Sequence, residues 1–303
     1  MKGRMTMNKA IKITFLGGDL RQYAAALKLA ESDYDIYVFG NAACENADGI
    51  VYSDNVYKAI SGAQAVILPL PSSIDGLTLN CAQDKKIMLC DIAYALGEEC
   101  IVIGGKIPST FRDSLIMKGI ECFDYFESEA FQIKNAYTTA EAAIFVAMEK
   151  LVRNIKDSKF AVTGYGRISK QLADILRSFG AKVCVAARKE SDLAFAALSG
   201  CNTLKLFDHD PRCIDGLACG YDIIFNTVPH KLFDTEFLRK LDRNTLIIEL
   251  ASAPGGIDLQ SAGKLNSNVL WASSLPGKYA PQSAGELIAE CVVAVLERKV
   301  THK

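Results

Sequence analysis

A strand, a glycine-rich turn and a helix follow one another within residues 159–180, and their spacing carries the most specific chemical signal in the chain. The turn reads Gly-Tyr-Gly-Arg-Ile-Ser over residues 164–169, and apolar residues recur at helical spacing after it. Gly164 permits a tight turn, and Gly166 lets the backbone approach a pyrophosphate, which the positive end of the helix favours. The turn residues predicted to bind a dinucleotide are Gly164, Tyr165, Gly166, Arg167 and Ile168.

Ser169 stands where a third glycine or alanine is usual in such turns. Its larger side chain predicts slightly looser packing of the helix against the strand, with little effect on the choice of cofactor. The flanking strand and helix still supply the structural context that the turn needs.

The second strand of this unit is expected over residues 182–186, and it ends where an NAD-specific fold carries an acidic residue for the ribose 2′-hydroxyl. That position is Ala187, and Arg188, Lys189 and Ser191 follow it. Two cations and a hydroxyl favour a ribose 2′-phosphate, so the sequence predicts NADP rather than NAD. The alternative is an Arg-Lys pair that is simply solvated at a strand end.

Two later strands in the same half end in small polar residues. A strand within residues 221–229 ends in Asn-Thr-Val-Pro, and a strand over residues 245–250 is followed by Ala-Ser-Ala-Pro-Gly-Gly. Ligands of open α/β sheets bind outside the carboxyl ends of the strands, so these termini are expected beside the riboses of the cofactor. The residues assigned to the cofactor here are Asn226, Thr227, Val228, Pro229 and Ala251.

The composition indicates an ordinary globular protein of two domains. The chain has 303 residues, of which 50% are hydrophobic and 23% are charged, and its formal net charge is −1. It contains no long run of one charge and no apolar stretch of membrane-spanning length, so neither nucleic acid nor a membrane is expected as a partner. The N-terminal residues lack the apolar segment of a signal peptide, which predicts a cytoplasmic protein.

The cysteines and histidines predict no metal site. Ten cysteines are scattered without a Cys-x-x-Cys pair, and the three histidines do not have the spacing of metal ligands. Buried, reduced thiols are therefore expected.

The first half of the chain imitates the nucleotide-binding unit less completely. Residues 11–16 form an apolar run before Gly17-Gly18, and a helix is expected to begin near Asp19. Only two adjacent glycines are present, and the next strand ends without a ribose-binding residue, so no second nucleotide is expected. Strands and helices alternate along the chain, which predicts mostly parallel sheets covered on both faces.

These patterns predict an α/β fold of two Rossmann-like doubly wound domains with a cleft between them. Residues 1–138 are expected to form a flavodoxin-like or Rossmann-like substrate domain, and residues 139–156 a long linking helix that Thr139 caps. Residues 157–282 are expected to form the NADP-binding domain. Residues 283–303 are expected to form a C-terminal helix that returns towards the first domain.

Polar residues after the strands of the first domain are candidates for contact with a small anionic substrate, because ligands lie at that edge. They are Arg21, Ser72, Ser73 and Lys106. Thr138 and Glu141 at the start of the linking helix, and Lys278 in the second domain, are expected to face the cleft. For each residue the alternative is a turn, a cap or a solvated side chain.

Several segments, in this order and spacing, resemble the A subunit of dipicolinate synthase. They read NAYTTAEAAI, VTGYGRI followed by AARKESDLA, FNTVP, LIIELASAPGGID and LPGKYAPQSAG, and the resemblance as a whole covers most of the chain. The chain departs from that family at Ser169, where glycine is typical. It departs again after the proline-bearing strand, where the family's Ser-Gly-Thr segment is represented only by the shorter stretch Pro71-Ser72-Ser73. This second difference bears on the identity of the substrate.

The resemblance implies a two-domain NADP-dependent oxidoreductase that makes pyridine-2,6-dicarboxylate from a dihydrodipicolinate-level precursor of lysine biosynthesis. It places this activity in sporulation and in the mother-cell cytoplasm. It also implies a smaller flavoprotein-like B subunit as partner, and a homo-oligomer remains a possible assembly. The expected chemistry is loss of a hydride from a partly reduced ring to the nicotinamide, with loss of a neighbouring proton, and aromatisation drives it.

Lys106 and Lys278 are the candidate catalytic residues, because each is expected to hold a substrate carboxylate, and Ser72, Ser73 and Thr138 are expected to donate hydrogen bonds. Two alternatives stay open. The first is another NADP-dependent dehydrogenase acting on a small carboxylate, with His230 as its acid–base group. The second is a non-catalytic module that senses NADP(H).

Overall fold

The structure is a computed structural model that describes residues 10–41, 47–82, 86–207 and 210–301. The chain divides into two compact units, the first formed by Met1–Lys134 with Ala280–Lys303 and the second by Asn135–Tyr279. Each unit contains one six-stranded parallel sheet with helices against it. The predicted fold class of two Rossmann-like α/β units is confirmed.

The sheet of the first unit has the strand order β3-β2-β1-β4-β5-β6, and every neighbouring pair is parallel. Its strands are β1 (Ile11–Leu16), β2 (Tyr34–Phe39), β3 (Ile50–Ser53), β4 (Ala65–Ile67), β5 (Ile101–Gly104) and β6 (Glu121–Asp124). The order of the strands reverses between β1 and β4. In doubly wound sheets the crevice for a ligand opens at such a reversal.

Helices cover both faces of this sheet. They are α1 (Leu20–Ala30), α2 (Val56–Ile60), α3 (Leu89–Ala95), α4 (Ser109–Met117) and, from the C-terminal segment, α11 (Pro281–Thr301). Ile67 packs in the core beneath α1 and α11, whereas its neighbours Val66 and Leu68 pack in the core beneath α2, α3 and α4. A strand buried on both faces needs apolar residues at consecutive positions, which explains the continuous apolar runs of the sequence.

The second unit repeats the plan with the order β12-β11-β10-β7-β8-β9. Its strands are β7 (Lys159–Thr163), β8 (Lys182–Ala187), β9 (Asn202–Lys205), β10 (Ile223–Asn226), β11 (Leu246–Glu249) and β12 (Val269–Trp271). Its helices include α6 (Arg167–Ser178), α7 (Glu190–Leu198), α8 (Thr235–Lys240), α9 (Leu259–Leu265) and α10 (Leu275–Tyr279). The order of the strands reverses between β7 and β10, so the glycine turn after β7 lies at the ligand-binding edge.

The long helix α5 spans Glu129–Lys150, so the boundaries of 139–156 predicted for it were wrong at both ends. The helix begins after Ser128, whose Oγ accepts a hydrogen bond from Phe131 N. Thr139 is not a cap, because it lies inside the helix and its Oγ1 donates to Asn135 O at 2.7 Å. Phe131 is buried in the first unit, so the Ser128 cap and this tertiary contact together place the start ten residues before the Thr139 cap that the sequence predicted.

Within the described part of the chain, no helix is both long enough and apolar enough to cross a membrane.

Candidate functional site

The glycine turn of the second unit leaves room for a ligand at the N-terminus of α6. Gly164 adopts φ 82°, and its N–H donates to Ala186 O of the neighbouring strand at 2.8 Å. Gly166 is the residue just before α6, and a Cβ atom added to it would meet no atom within 4 Å. The open space therefore lies beside the first N–H groups of a 12-residue helix, where a pyrophosphate is favoured.

The other predicted turn residues divide between the core and the surface. Tyr165 is buried in the core, and Lys170 Nζ lies 5.4 Å from its ring centroid. Ile168 is half-buried against the same core, whereas Arg167 is exposed. Only Arg167 therefore presents a charged side chain at the mouth of the turn.

Arg188, Lys189 and Ser191 lie where the sequence predicted them, after the strand next to the glycine turn. Strand β8 pairs with β7 and ends at Ala187, and Arg188 and Lys189 are exposed between it and α7. Ser191 is exposed in the first turn of α7. Its neighbour Glu190 pairs with Lys205 at 2.5 Å, so that carboxylate is partly neutralised. This arrangement suits a ribose 2′-phosphate.

Ser169 strengthens the contact between α6 and the sheet instead of loosening it, so that expectation was wrong. Its side chain is fully buried, and its Oγ lies 2.7 Å from Thr227 Oγ1. Thr227 Oγ1 donates its single proton to Thr163 O at 2.8 Å, so Ser169 is the donor to Thr227. The serine thus joins α6 to the ends of both β7 and β10.

Asn226 has a structural role in this edge of the sheet, because its amide is fully buried and its hydrogen bonds are all made inside the unit. The Asn226 oxygen accepts from Thr163 Oγ1 and Val228 N. The nitrogen donates to Val228 O and to both carboxylate oxygens of Glu249, at 2.8 and 2.9 Å. The predicted contact of this side chain with a cofactor ribose therefore does not fit the structure.

Glu249 is the residue of this network that the sequence did not reveal. Its carboxylate is fully buried and also accepts hydrogen bonds from Ala251 N at 2.9 Å and Gly256 N at 2.8 Å. A buried carboxylate is tolerated only when it is hydrogen-bonded in this way. Glu249 therefore fixes the loop after β11, including Ala251, against the end of β10.

Thr227, Val228 and Pro229 lie at the carboxyl end of β10, with Thr227 and Val228 half-buried and Pro229 exposed. His230 follows them and is exposed. A Cβ atom added to Gly164 would lie 3.0 Å from Thr227 Oγ1 and 3.1 Å from Val228 Cγ2. The β10 turn and the glycine turn therefore form one continuous edge around the open space.

The glycine turn of the first unit, in contrast, is filled by protein. Gly18 N donates to Asn80 O at 2.9 Å, and a Cβ atom added to Gly17 would clash with that oxygen and with Cys81. The segment around Asn80 therefore occupies the place of a pyrophosphate. This closure agrees with the absence of a third glycine in the sequence.

Ser72 and Ser73 are committed to the fold of the first unit. Ser72 is fully buried, and its Oγ lies 3.2 Å from Pro69 O and 3.0 Å from Gly105 O, so it has no surface for the substrate contact predicted for it. Ser73 Oγ donates to Asp75 Oδ1 at 3.0 Å. Backbone and side-chain hydrogen bonds from Thr78 and Leu77, with that of Ser73, lower the pKa of the Asp75 carboxyl.

The remaining substrate candidates differ in exposure. Thr138 is buried within α5. Lys106 is exposed in a left-handed backbone conformation with φ 52°, and its Nζ lies 4.7 Å above the Phe126 ring. Lys278 is exposed on the short helix α10, and no described carboxylate pairs with its ammonium. The two lysines thus present accessible cations.

Potential metal ligands do not gather in the described ranges: no group of three or more His, Cys, Asp or Glu side chains there is placed to hold an ion.

Comparison with known proteins supports the interpretation of the motifs. Residues 12–126 match the family described as the N-terminal domain of the dipicolinate synthase A subunit. The chain is 28% identical over 296 residues to the A subunit of dipicolinate synthase from Bacillus subtilis (strain 168), and the match covers 96% of this chain and 97% of that protein.

Solved structures agree with the sequence comparison. The crystal structure of the dipicolinate synthase A chain from Bacillus subtilis superposes with a TM-score of 0.81 at 26% identity, covering 98% of this chain and 99% of the other. A transhydrogenase from Sinorhizobium meliloti shares the fold, with a TM-score of 0.67 at 16% identity and coverage of 95% and 94%. The fold is thus shared with a transhydrogenase, and the chain is similar over nearly its whole length to the A subunit of dipicolinate synthase.

Proposed function

We propose that this chain is an NADP-dependent oxidoreductase that converts a dihydrodipicolinate-level intermediate of lysine biosynthesis into pyridine-2,6-dicarboxylate. The observation that carries the proposal is the open space at Gly166, bounded by the N-terminus of α6 and followed along the edge by Arg188 and Lys189. A Cβ atom added to Gly166 would meet no atom within 4 Å, so the turn leaves room for a pyrophosphate to approach the backbone closely.

The chain's own residues supply binding and orientation. The first N–H groups of α6 and the Arg167 side chain would hold the pyrophosphate, and Arg188, Lys189 and Ser191 would hold the 2′-phosphate. Thr227, Val228, Pro229 and Ala251 would border the riboses, and the buried Asn226–Glu249 pair fixes the backbone of that edge. NADP, when bound, supplies the hydride acceptor for the reaction.

The substrate must lose one hydride and one proton from adjacent ring positions, and aromatisation makes the step favourable without a strong base. The protein's task is therefore to orient the ring and to neutralise its two carboxylates. Lys106 and Lys278 are proposed as carboxylate partners because both present exposed ammonium groups. Ser73 and Thr138 are mostly buried, so they are proposed only as secondary donors.

The proposed partner is a flavoprotein-like B subunit, which the resemblance to the dipicolinate synthase A subunit implies, and the proposed setting is the mother-cell cytoplasm during sporulation. Purified chain should be assayed with and without a B subunit, on enzymatically generated dihydrodipicolinate, with NADP and with NAD. Formation of dipicolinate with an equal amount of NADPH is the expected result.

Two other results would contradict this function. Reduction of NADP only with a 2-hydroxy or 2-amino acid would indicate a different dehydrogenase, with exposed His230 as the first acid–base group to test. Binding of NADPH without turnover in any combination would indicate a sensing module.

A further inference from the structure

Arg21 is held rigidly at the ligand-binding edge of the first sheet. It lies in the first turn of α1, directly after the strand at the β1/β4 reversal. Asp19 accepts hydrogen bonds from Arg21 Nε at 3.0 and 3.2 Å and from Nη2 at 2.8 Å, and Leu70 O accepts from Nη2 at 2.6 Å. Three of the five guanidinium N–H groups therefore fix the plane of the side chain.

The two N–H groups on Arg21 Nη1 remain. No described residue accepts a hydrogen bond from Nη1, although the side chain is only 10% exposed. A guanidinium that is mostly buried gains most from an anionic acceptor, because little water can satisfy it. This geometry differs from that of a solvated surface arginine, whose side chain is free to rotate.

A second polar group without a partner lies nearby. Tyr125 is fully buried, and its hydroxyl makes no hydrogen bond. A Cβ atom added to Gly105 would clash at 2.7 Å with both Leu70 Cδ1 and Tyr125 Cε2, so the Tyr125 ring packs closely beside the residue whose carbonyl holds Arg21. Burial raises the pKa of Tyr125, and this effect outweighs the opposing effect of the positive charge of Arg21. The hydroxyl therefore stays protonated.

The surroundings select the kind of ligand. Asn80 fills the glycine turn beside this position, so a nucleotide does not fit. Asp19 already balances the charge of Arg21, and a phosphate dianion would be repelled by that carboxylate more than a monoanion would. A single carboxylate group can accept a hydrogen bond from Nη1.

We propose that Arg21, positioned by Asp19 and Leu70, binds one carboxylate group of the substrate through its Nη1 donor. The inference rests on the proposed function for the source of this carboxylate, the ring dicarboxylate. Arg21 thus makes the substrate contact that the sequence predicted for Ser72, whose side chain is buried.

The test is calorimetry on the full chain with NADP present and dipicolinate as the titrant. Arg21→Gln is expected to weaken dipicolinate roughly 10-fold to 150-fold, the range for a hydrogen bond to a charged group, and to leave NADP affinity unchanged. Lys28→Gln is the matched control, because Lys28 is an exposed cation on the same helix that pairs with Glu31. It should bind both ligands like the wild type.

Tyr125→Phe separates binding from a merely structural role. It keeps the ring that packs beside Leu70 and removes only a buried hydroxyl, so it should bind dipicolinate like the wild type. Arg21→Lys decides if Arg21→Gln does not fold, because it keeps the charge and loses the Nη1 donor, and it should weaken dipicolinate while NADP affinity stays unchanged.

Wild-type dipicolinate affinity in the folded Arg21 variants overturns the inference, as does a wild-type chain that binds no dipicolinate. If the variants bind dipicolinate more weakly but the chain never transfers hydride in the oxidation assay, the carboxylate site stands and the proposed reaction is wrong.

Discussion

Arg188 is the residue on which the proposed preference for NADP depends most. It is exposed directly after β8, and a charge-assisted hydrogen bond to the 2′-phosphate contributes about 1.5 to 3 kcal/mol. Arg188→Ala should therefore weaken NADPH by roughly 10-fold to 150-fold and leave NADH nearly unchanged, as measured by fluorescence titration. Arg243→Ala, which removes another exposed arginine of the same unit, is the control. Equal losses for both cofactors would contradict the assignment.

Which single residues could be predicted depends on where their partners lie in the sequence. The glycine turn was predictable because Gly164 and Gly166 act within a few residues of each other. The structural roles of Asn226 and Ser72 were not, because Asn226 bonds to Glu249 and Ser72 to Gly105, partners that are distant in the sequence. A polar residue after a strand has the same sequence signal whether it faces a ligand or the interior.

The unit formed by β7, its turn and α6 makes the next prediction, at the scale of the element. Gly166 has φ −84°, which any residue adopts, and open space where a side chain would project. Gly166→Val should abolish dinucleotide binding by calorimetry, because the side chain fills the place of the pyrophosphate. The free energy of unfolding should fall by no more than about 1 kcal/mol, the range for losing a favourable residue before a helix.

Gly97→Val is the control for this change, because Gly97 lies in the first unit and a Cβ atom there also meets nothing within 4 Å. It should keep wild-type affinity for the dinucleotide. Unchanged affinity in Gly166→Val would show that the nucleotide lies elsewhere.

The elements themselves were predictable to different degrees. Strand β1 was predicted with its observed ends, and β8 within one residue, because apolar runs bounded by turn residues are a local signal. The short strand β3, with two of its four residues half-buried, gave no such signal. The start of α5 was missed because its cap is Ser128, supported by packing of Phe131, whereas the Thr139 hydroxyl bonds inside the helix.

At the scale of the whole molecule, buried and half-buried thiols make the stability of the fold sensitive to alkaline pH. Burial raises the pKa values of Cys100, Cys122 and Cys291 to about 11, and all three belong to the first unit. In an unfolded chain a thiol ionises near pH 8.5 to 9, so the unfolded state loses protons first. The contribution of each thiol to stability is thus complete below about pH 8.5 and is lost as pH rises through about 11.

Cys100 is the best thiol for testing this dependence, because only 2% of the residue is exposed. Between pH 7 and pH 10, the free energy of unfolding should fall by about 1 kcal/mol less in Cys100→Ala than in the wild type. The variant lacks one thiol that the native state keeps protonated. Urea unfolding at the two pH values measures the difference. Cys219→Ala, which removes an exposed thiol, should follow the wild type, so any pH effect from lysines and tyrosines cancels in the comparison. Identical pH dependence in all three proteins would show that the Cys100 thiolate is as well solvated in the folded chain as in the unfolded one.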